Sequence, residues 1–254
     1  MKNSYLIIWI FCCGCIVCEA VTKRESRSSS QSTQEKLDRL LQKTSAMHDH
    51  IKKLENKIDE LHKASNAQLA KMAELEVGNW LTIQRRQDGS LDFYRNWTDY
   101  QMGFGNSTDA EFFVGLEKVH NLTSATPHEL LIILKDWIND TRYAHYSDFK
   151  IAGENEKYAI TSLGYYSGNA GDGMEYYLGQ QFSTFDNDND DDVETNCAEL
   201  YKSAWWFKSC SLSDLNGQYQ DEKYATEDGV TWYTWKGLNY SLKFAEMKIK
   251  PKRG

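Results

Sequence analysis

The sequence predicts an α+β fold, a central antiparallel sheet in a loop-rich domain with a coiled-coil helix ahead of it. Three observations point there. Apolar residues recur at heptad spacing from Leu37 to Leu75, with no glycine or proline inside the run. Gly78 ends that pattern, and short apolar or alternating runs set off by turn residues take over. No period of roughly 20–50 residues recurs, so a repeat array is excluded.

The first segment sets the compartment. Lys2 precedes the apolar run YLIIWIFCCGCIVC, which Glu19 and Ala20 follow. A basic start, an apolar core and Cys18 and Ala20 at the −3 and −1 positions read as a signal peptide over 1–20. The run is shorter than the roughly 20 apolar residues that a bilayer span takes. A secreted, extracellular chain with no membrane span after cleavage is expected. A net charge of -8 with no basic stripe argues against nucleic acid as a partner. Of the six cysteines, Cys12, Cys13, Cys15 and Cys18 leave with the signal. The remaining pair, Cys197 and Cys210, is most simply one disulfide in an oxidising compartment, with a free thiol as the alternative. Five Asn-X-Ser/Thr sequons, at Asn96, Asn106, Asn121, Asn139 and Asn239, fit glycosylation of one downstream domain.

Residues 21–34 are polar and Ser/Gln-rich, without apolar periodicity, and read as a disordered tether. The coiled coil is expected over 35–77. Leu37, Thr44, Ile51, Ile58, Ser65 and Met72 fall at a, and Leu40, Met47, Leu54, Leu61, Gln68 and Leu75 at d. A helix packed on its own domain would show a wider apolar face. Here the flanking e and g positions hold Lys43, His48, His50, Glu55, Lys57, His62, Lys71 and Glu76, with Leu41 and Leu69 as exceptions. A narrow seam between polar flanks suits a homo-oligomer. Ile at a with Leu at d leans toward two parallel strands, while Thr44, Ser65 and Gln68 leave the strand number open. The three histidines sit as solvated flanks rather than as metal ligands.

From residue 78 to 254 the texture is that of a globular domain. WLTIQRRQDGSLDFY reads as a strand, an Asp88-Gly89 turn and a return strand. HELLIILKDW is a buried strand, DGVTWYTWKG a loop, and YSLKFAEMKIKP a terminal alternating strand.

Several of these stretches, in this order, resemble the fibrinogen C-terminal domain family, including its secreted ficolin-like and tachylectin-like members. They are WLTIQRRQDGSLDFYRNWTDYQMGFGN, FSTFDNDND, NCAELYKSAWWFKSC, Leu215-Asn216-Gly217 and DGVTWYTWKGLNYSLKFAEMKIKP. The resemblance covers residues 79–251 almost continuously and implies that family's fold. Family domains usually begin several tens of residues earlier, with a small subdomain holding a cysteine pair. That subdomain is missing here with both of its cysteines, so the domain at 78–254 is N-terminally truncated.

The acidic stretch FDNDNDDDVETNC, residues 185–197, packs six carboxylates with no basic residue. An EF-hand beginning at Asp188 would place Asp190, Asp192 and Glu199 at ligand positions, but Val193 stands where the sharp turn needs Gly. The resemblance implies a different calcium loop, with side chains of Asp188 and Asp190 and two downstream carbonyls. Counting forward puts those carbonyls at Asp192 and Glu194; counting back from Cys197 puts them at Val193 and Thr195. It further implies a Cys197–Cys210 disulfide bracing the loop and a pocket for acetyl groups. In lectin-like members the peptide before the first of these cysteines is cis, which maps onto Asn196-Cys197. Tyr201 matches a pocket aromatic, and Trp205 and Trp206 read as core. Ser211 stands where many acetyl-binding members carry His, and Tyr224 with Ala225 forms the next aromatic segment.

No nucleophile elbow, zinc-binding His pair or phosphate loop is present, and no enzyme is expected. The resemblance implies a secreted, calcium-dependent recognition protein of innate defence, binding acetylated glycans on microbial surfaces. The alternative is an extracellular protein-binding ligand or matrix component with the same fold and no sugar pocket.

Overall fold

The computed structural model describes residues 34–64, 79–108, 110–221 and 226–252. The expected signal peptide, nearly all of the tether and the stretch of coil from 65 to 77 lie outside those residues. The chain divides into two compact units between Leu69 and Ala70.

In the first unit, residues 34–64 form one continuous helix, α1. Its seam residues Leu37, Leu40, Met47, Ile51, Leu54, Ile58 and Leu61 are each 49 to 62% exposed. Thr44, the polar seam position, returns its hydroxyl to the Leu40 carbonyl at 2.8 Å, so the helix itself satisfies that group.

In the second unit the main sheet runs β2-β3-β1-β10-β4-β5-β6, with β7 on β5. Its strands are β1 Leu81–Arg86, β2 Phe104–Gly105, β3 Phe112–Phe113, β4 His128–Lys135, β5 Thr141–Ile151, β6 Ile160–Ser162, β7 Tyr166–Gly168 and β10 Phe244–Pro251. Every pairing is antiparallel. β4 sits between β10 and β5 with Leu130, Ile132 and Leu134 on the main core and Leu131 and Ile133 in a second cluster with Tyr143. A strand buried on both faces reads as an unbroken apolar run, which is why LLIIL shows no alternation. The C-terminal strand is central, not an edge: β10 hydrogen-bonds β1 on one side and β4 on the other.

The main face carries helix α3, Leu116–Ala125, through Leu116, Val119 and Thr123, spaced to share one side of the helix. Pro127 follows its cap at Thr126 and cannot extend the helix. The shorter helix α2, Trp97–Met102, is capped by Asn96, whose side chain accepts from the Asp99 N–H. Trp97, Tyr100, Phe182, Trp205, Trp206 and Phe207 fill the region beneath.

Two local expectations are corrected. No return strand follows Asp88-Gly89; β1 pairs instead with β10 and β3. The reason is Glu111, whose Oε1 accepts from the backbone N–H groups of Gln87, Asp88 and Gly89, and whose Oε2 accepts from Leu91. Those donors have a buried carboxylate and no need of a strand partner. The stretch DGVTWYTWKG is not simply a loop: Thr231–Trp232 forms β9, paired with β8 at Ser213–Asp214, and helix α5, Tyr233–Lys236, follows.

Glu111 also faces the buried Arg86, with Nε 3.6 Å from Oε1. The Arg86 guanidinium lies 3.9 Å from the Phe93 ring centroid, and its Nη1 donates to the carbonyls of Leu215 and Gly217. This ties the first strand of the sheet to the loop region. Gly217 is required there, because a Cβ would come within 2.0 Å of the Gly229 carbonyl oxygen.

Candidate calcium and ligand site

The acidic stretch is an ordered loop, and its carboxylates divide by what they touch. Asp186 accepts from the Trp97 N–H at 2.9 Å and the Thr184 hydroxyl at 2.7 Å, pinning the loop to helix α2. Asp191 accepts from the Gln180 side chain. Asp192 accepts from the N–H groups of Glu194 and Thr195 and from the Ser209 hydroxyl, bridging the loop to the second cysteine arm. Asn189 adds side-chain bonds to the carbonyls of Phe182 and Asn187. These groups have structural partners.

Asp188 and Asp190 differ. Asp190 accepts from the N–H groups of Cys197 and Asp192 at 2.9 Å each, and Asp188 from the Asp190 N–H at 3.3 Å. Burial, followed by the negative charge of Asp188, pushes Asp190 up to about 6, against the pull of its two N–H donors. Two carboxylates held together, one half-buried, form an oxygen donor set. Hard oxygen ligands at flexible geometry suit calcium. The Asp192 carboxylate accepts from Glu194, Thr195 and Ser209, and its carbonyl is the group the resemblance offers for such a role. Glu194 and Val193 are exposed, Val193 at 97%. Asp192 also lies beside Cys197 and Cys210, its oxygen and both sulfurs within 4.8 Å of one another. Those sulfurs are bonded to each other, offer no thiolate, and make no metal centre.

Cys197 and Cys210 form the expected disulfide. Asn196 caps the short helix α4, Cys197–Leu200, through bonds from Ala198 and Glu199, while its amide reaches the carbonyls of Thr184 and Phe185. The cis peptide lies at Ser209-Cys210, at the far arm of the disulfide, and not at Asn196-Cys197. This corrects the placement carried over by resemblance: Asn196 is an extended cap residue whose amide and carbonyl groups serve the helix and the loop. Cys197 is buried.

Tyr201 is half-buried and stacks on Phe207 at 5.9 Å. Trp205 and Trp206 are buried and pack on one another, as core residues. Ser211 lies across the disulfide arm, its hydroxyl donating to the Ser213 carbonyl at 2.9 Å and lying 3.3 Å from the Tyr177 hydroxyl. Tyr224 and Ala225 lie outside the described residues.

Two residues here carried no sequence signal. The Tyr177 hydroxyl accepts from the N–H groups of Leu212 and Ser213, and burial pushes its phenol up to about 12. Asp214 is fully buried; its Oδ1 accepts from the Ser203 hydroxyl and the Asn216 N–H, both at 2.9 Å. Ser203 follows Tyr201 and Asp214 follows Ser211, so this carboxyl stitches the two strips that carry the candidate ligand residues. The five sequon asparagines are all exposed.

A model of the fibrinogen beta and gamma chains, C-terminal globular domain, matches residues 55–252. The chain belongs to that family. Tenascin-R of Gallus gallus is 44% identical over 174 residues, 68% of this chain but 12% of that protein. Microfibril-associated glycoprotein 4 of Homo sapiens is 43% identical over 181 residues, 69% of this chain and 70% of its own. The fibrinogen-like globe domain of human ANGPTL6 superposes with a TM-score of 0.68 at 41% identity, covering 71% of this chain and 81% of that one. The fold is therefore the fibrinogen-like globe. The fibrinogen-family match begins upstream of β1, inside helix α1.

Proposed function

We propose that this chain is an extracellular recognition protein that holds calcium at Asp188 and Asp190 and binds acetylated glycans of microbial surfaces in innate defence. The observation that carries it is the Asp188–Asp190 pair, two carboxylates crowded together beside a disulfide-braced loop. Calcium there would offset their repulsion and fix the loop; Asp192 and Glu194, or Val193 and Thr195, would supply carbonyls. Tyr201 and Ser211 stand on the strips next to that loop, with Tyr224 and Ala225 completing the assignment. Helix α1 would assemble several such heads, so that weak single contacts gain avidity.

A second reading has its own support. The Ser211 hydroxyl is committed to Ser213 and Tyr177, which leaves less polar capacity for a sugar. One relative is by name associated with microfibrils. On this reading the ligand is an extracellular protein or matrix component. Retention on an acetylated-sugar resin, with elution by chelator and by free sugar, supports the first; passage through the resin favours the second.

Calcium is tested by calorimetry. A ligand at 100 times its Kd adds about 2.7 kcal/mol to folded-state stability. Asp188→Asn with Asp190→Asn should abolish a calcium-dependent rise in Tm. Asp186→Asn should keep that rise while lowering Tm in chelator, because Asp186 holds Trp97 and Thr184. Equal Tm values for the unmodified protein in chelator and in millimolar calcium would refute the site.

A further inference from the structure

We propose that an N-linked glycan on Asn121 is a structural part of the domain: its first sugars cover the apolar groove between helices α2 and α3, and it is attached before α3 docks on the sheet. The inference rests on the extracellular reading above, since a chain meets the glycosylating enzyme on the secretory route. It goes beyond that reading by giving one of the five sequons a task in the fold.

The groove has a volume of about 500 Å³ and lies where the end of α2 approaches α3 and the C-terminal end of β10. Met102, Val114, Leu122, Ala125 and Pro251 make its lining mostly apolar. Met102 is 73% exposed, and Ala125 and Pro251 are exposed as well. On α3 the groove takes Lys118, Asn121, Leu122 and Ala125, from the side of the helix opposite the buried Leu116, Val119 and Thr123. An open apolar surface of this kind attracts a partner or promotes aggregation unless something covers it. Asn121 stands in the lining itself and is exposed, so a sugar joined to its Nδ2 starts at the wall of the groove. None of the other four sequon asparagines lines it. That tether decides the occupant. A tethered group competes at an effective concentration in roughly the millimolar range, which a second copy of the chain does not reach. N-acetylglucosamine also has the right chemistry. Its acetyl methyl and the C–H groups of its ring suit the apolar floor, and its hydroxyls are left to water and to Lys118 at the rim.

The order of events follows from Thr123. The sequon is read as Asn121 together with the hydroxyl two residues on. In the folded domain that hydroxyl is buried, donating to the Val119 carbonyl at 2.9 Å and accepting from the Ile151 N–H at 3.4 Å. At Asn96 and Asn106 the corresponding Thr98 and Thr108 are exposed. Attachment at Asn121 therefore precedes the docking of α3. The step forms a bond from Asn121 Nδ2 to C1 of the first N-acetylglucosamine. The bond from C1 to the pyrophosphate of a lipid-linked oligosaccharide donor breaks, the pyrophosphate leaves with the electron pair, and the amide gives up one proton. One N–H stays on Nδ2, so the bond it donates to Glu117 Oε1 at 3.2 Å can persist.

The test uses the full chain secreted by a eukaryotic cell line, with site occupancy read by glycopeptide mass spectrometry. Asn121 should be occupied. A peptide N-glycosidase should release its glycan from the native protein about tenfold more slowly than those of Asn96 and Asn106, because the bond is reached only when the sugars leave the groove. After denaturation the rates should be equal. N121Q should raise the binding of a dye that fluoresces on apolar surface, and N106Q should not. M102K added to N121Q should bring the signal back down by making the groove floor polar. Unglycosylated chain that is folded first and then given the transferase with its lipid-linked donor should be modified at Asn106 and not at Asn121. An empty Asn121 beside occupied Asn96 or Asn106, or equal release rates in the native protein, would overturn the proposal. So would dye binding unchanged by N121Q, which would point to a second copy over the groove. A chain with sugar at none of the five sequons would overturn the extracellular reading and this inference with it, which separates that failure from the others.

Discussion

Asp214 offers the sharpest test of the energetics. The perturbation is Asp214→Asn, which keeps the shape and the acceptor for Ser203 and Asn216 but removes the charge. The carboxyl is fully buried and its Oδ2 has no hydrogen-bond partner. Burial pushes it from 3.8 up to about 7, although Ser203, Asn216 and the nearby Arg86 all favour the charged form. The sign follows from proton binding. The folded state holds this proton more tightly than the unfolded chain does. The contribution of this group to stability is therefore most favourable below about pH 4, falls as pH rises toward 7, and stays low above it. The shift between 3.8 and about 7 corresponds to a loss of up to roughly 4 kcal/mol across that window.

An asparagine does not titrate, so the stability of the variant minus that of the parent should climb from pH 4.5 to 7.5. Urea unfolding at several pH values, disulfide intact, measures it. Asp190 is common to the variant and the parent, so it cancels in the difference. If the two stability curves run parallel from pH 4.5 to 8, the buried carboxyl does not carry its proton to neutrality and the reasoning fails.

Two other perturbations probe the framework of the site. Glu111→Ala removes the acceptor for four backbone N–H groups and leaves Arg86 buried without its counter-charge, so urea unfolding should show a loss of about 3–5 kcal/mol. Replacing Cys197 and Cys210 together by Ala should lower stability by about 3 kcal/mol, from the freed chain entropy. Thiol labelling of the unmodified denatured, unreduced protein should find neither cysteine reactive.

Much of this fold was legible because local pattern and tertiary role agree. β4 is apolar throughout since both its faces are covered, and the α1 seam shows its period since nothing else competes for its side chains. The Cys197–Cys210 pairing followed from these being the two cysteines beyond the N-terminal apolar run. What escaped was set by distant residues. The Asp88-Gly89 turn carries a strong hairpin signal, but Glu111, more than twenty positions away, takes the N–H groups that a return strand would use. Asp186 and Asp188 look alike in the sequence. Only the approach of Trp97 makes one a brace and leaves the other beside Asp190. The cis bond lies on the other arm of the disulfide from the one the resemblance implies, because nothing in Asn196 or Ser209 marks one of them as its position.

How the loop is held bears on how tightly it could grip an ion. A loop that must order itself on binding gives up part of the interaction free energy to lost conformational freedom. Here much of the ordering is done by groups that are not candidate ligand side chains. Asp186 anchors one end to helix α2, Asn189 binds two carbonyls inside the loop, and Asp192 ties the far end to Ser209. The disulfide and the Asn196 cap close the same segment from the other side. Asp188 is thereby presented on a frame that stands without it, whereas Asp190 also takes the N–H groups of Cys197 and Asp192 and is part of that frame. Removing the Asp188 charge should cost calcium binding while leaving the loop folded, whereas removing Asp186 should loosen the frame and weaken binding only indirectly. The two kinds of carboxylate, indistinguishable in a run of six, are thus separated by what each would take away when lost.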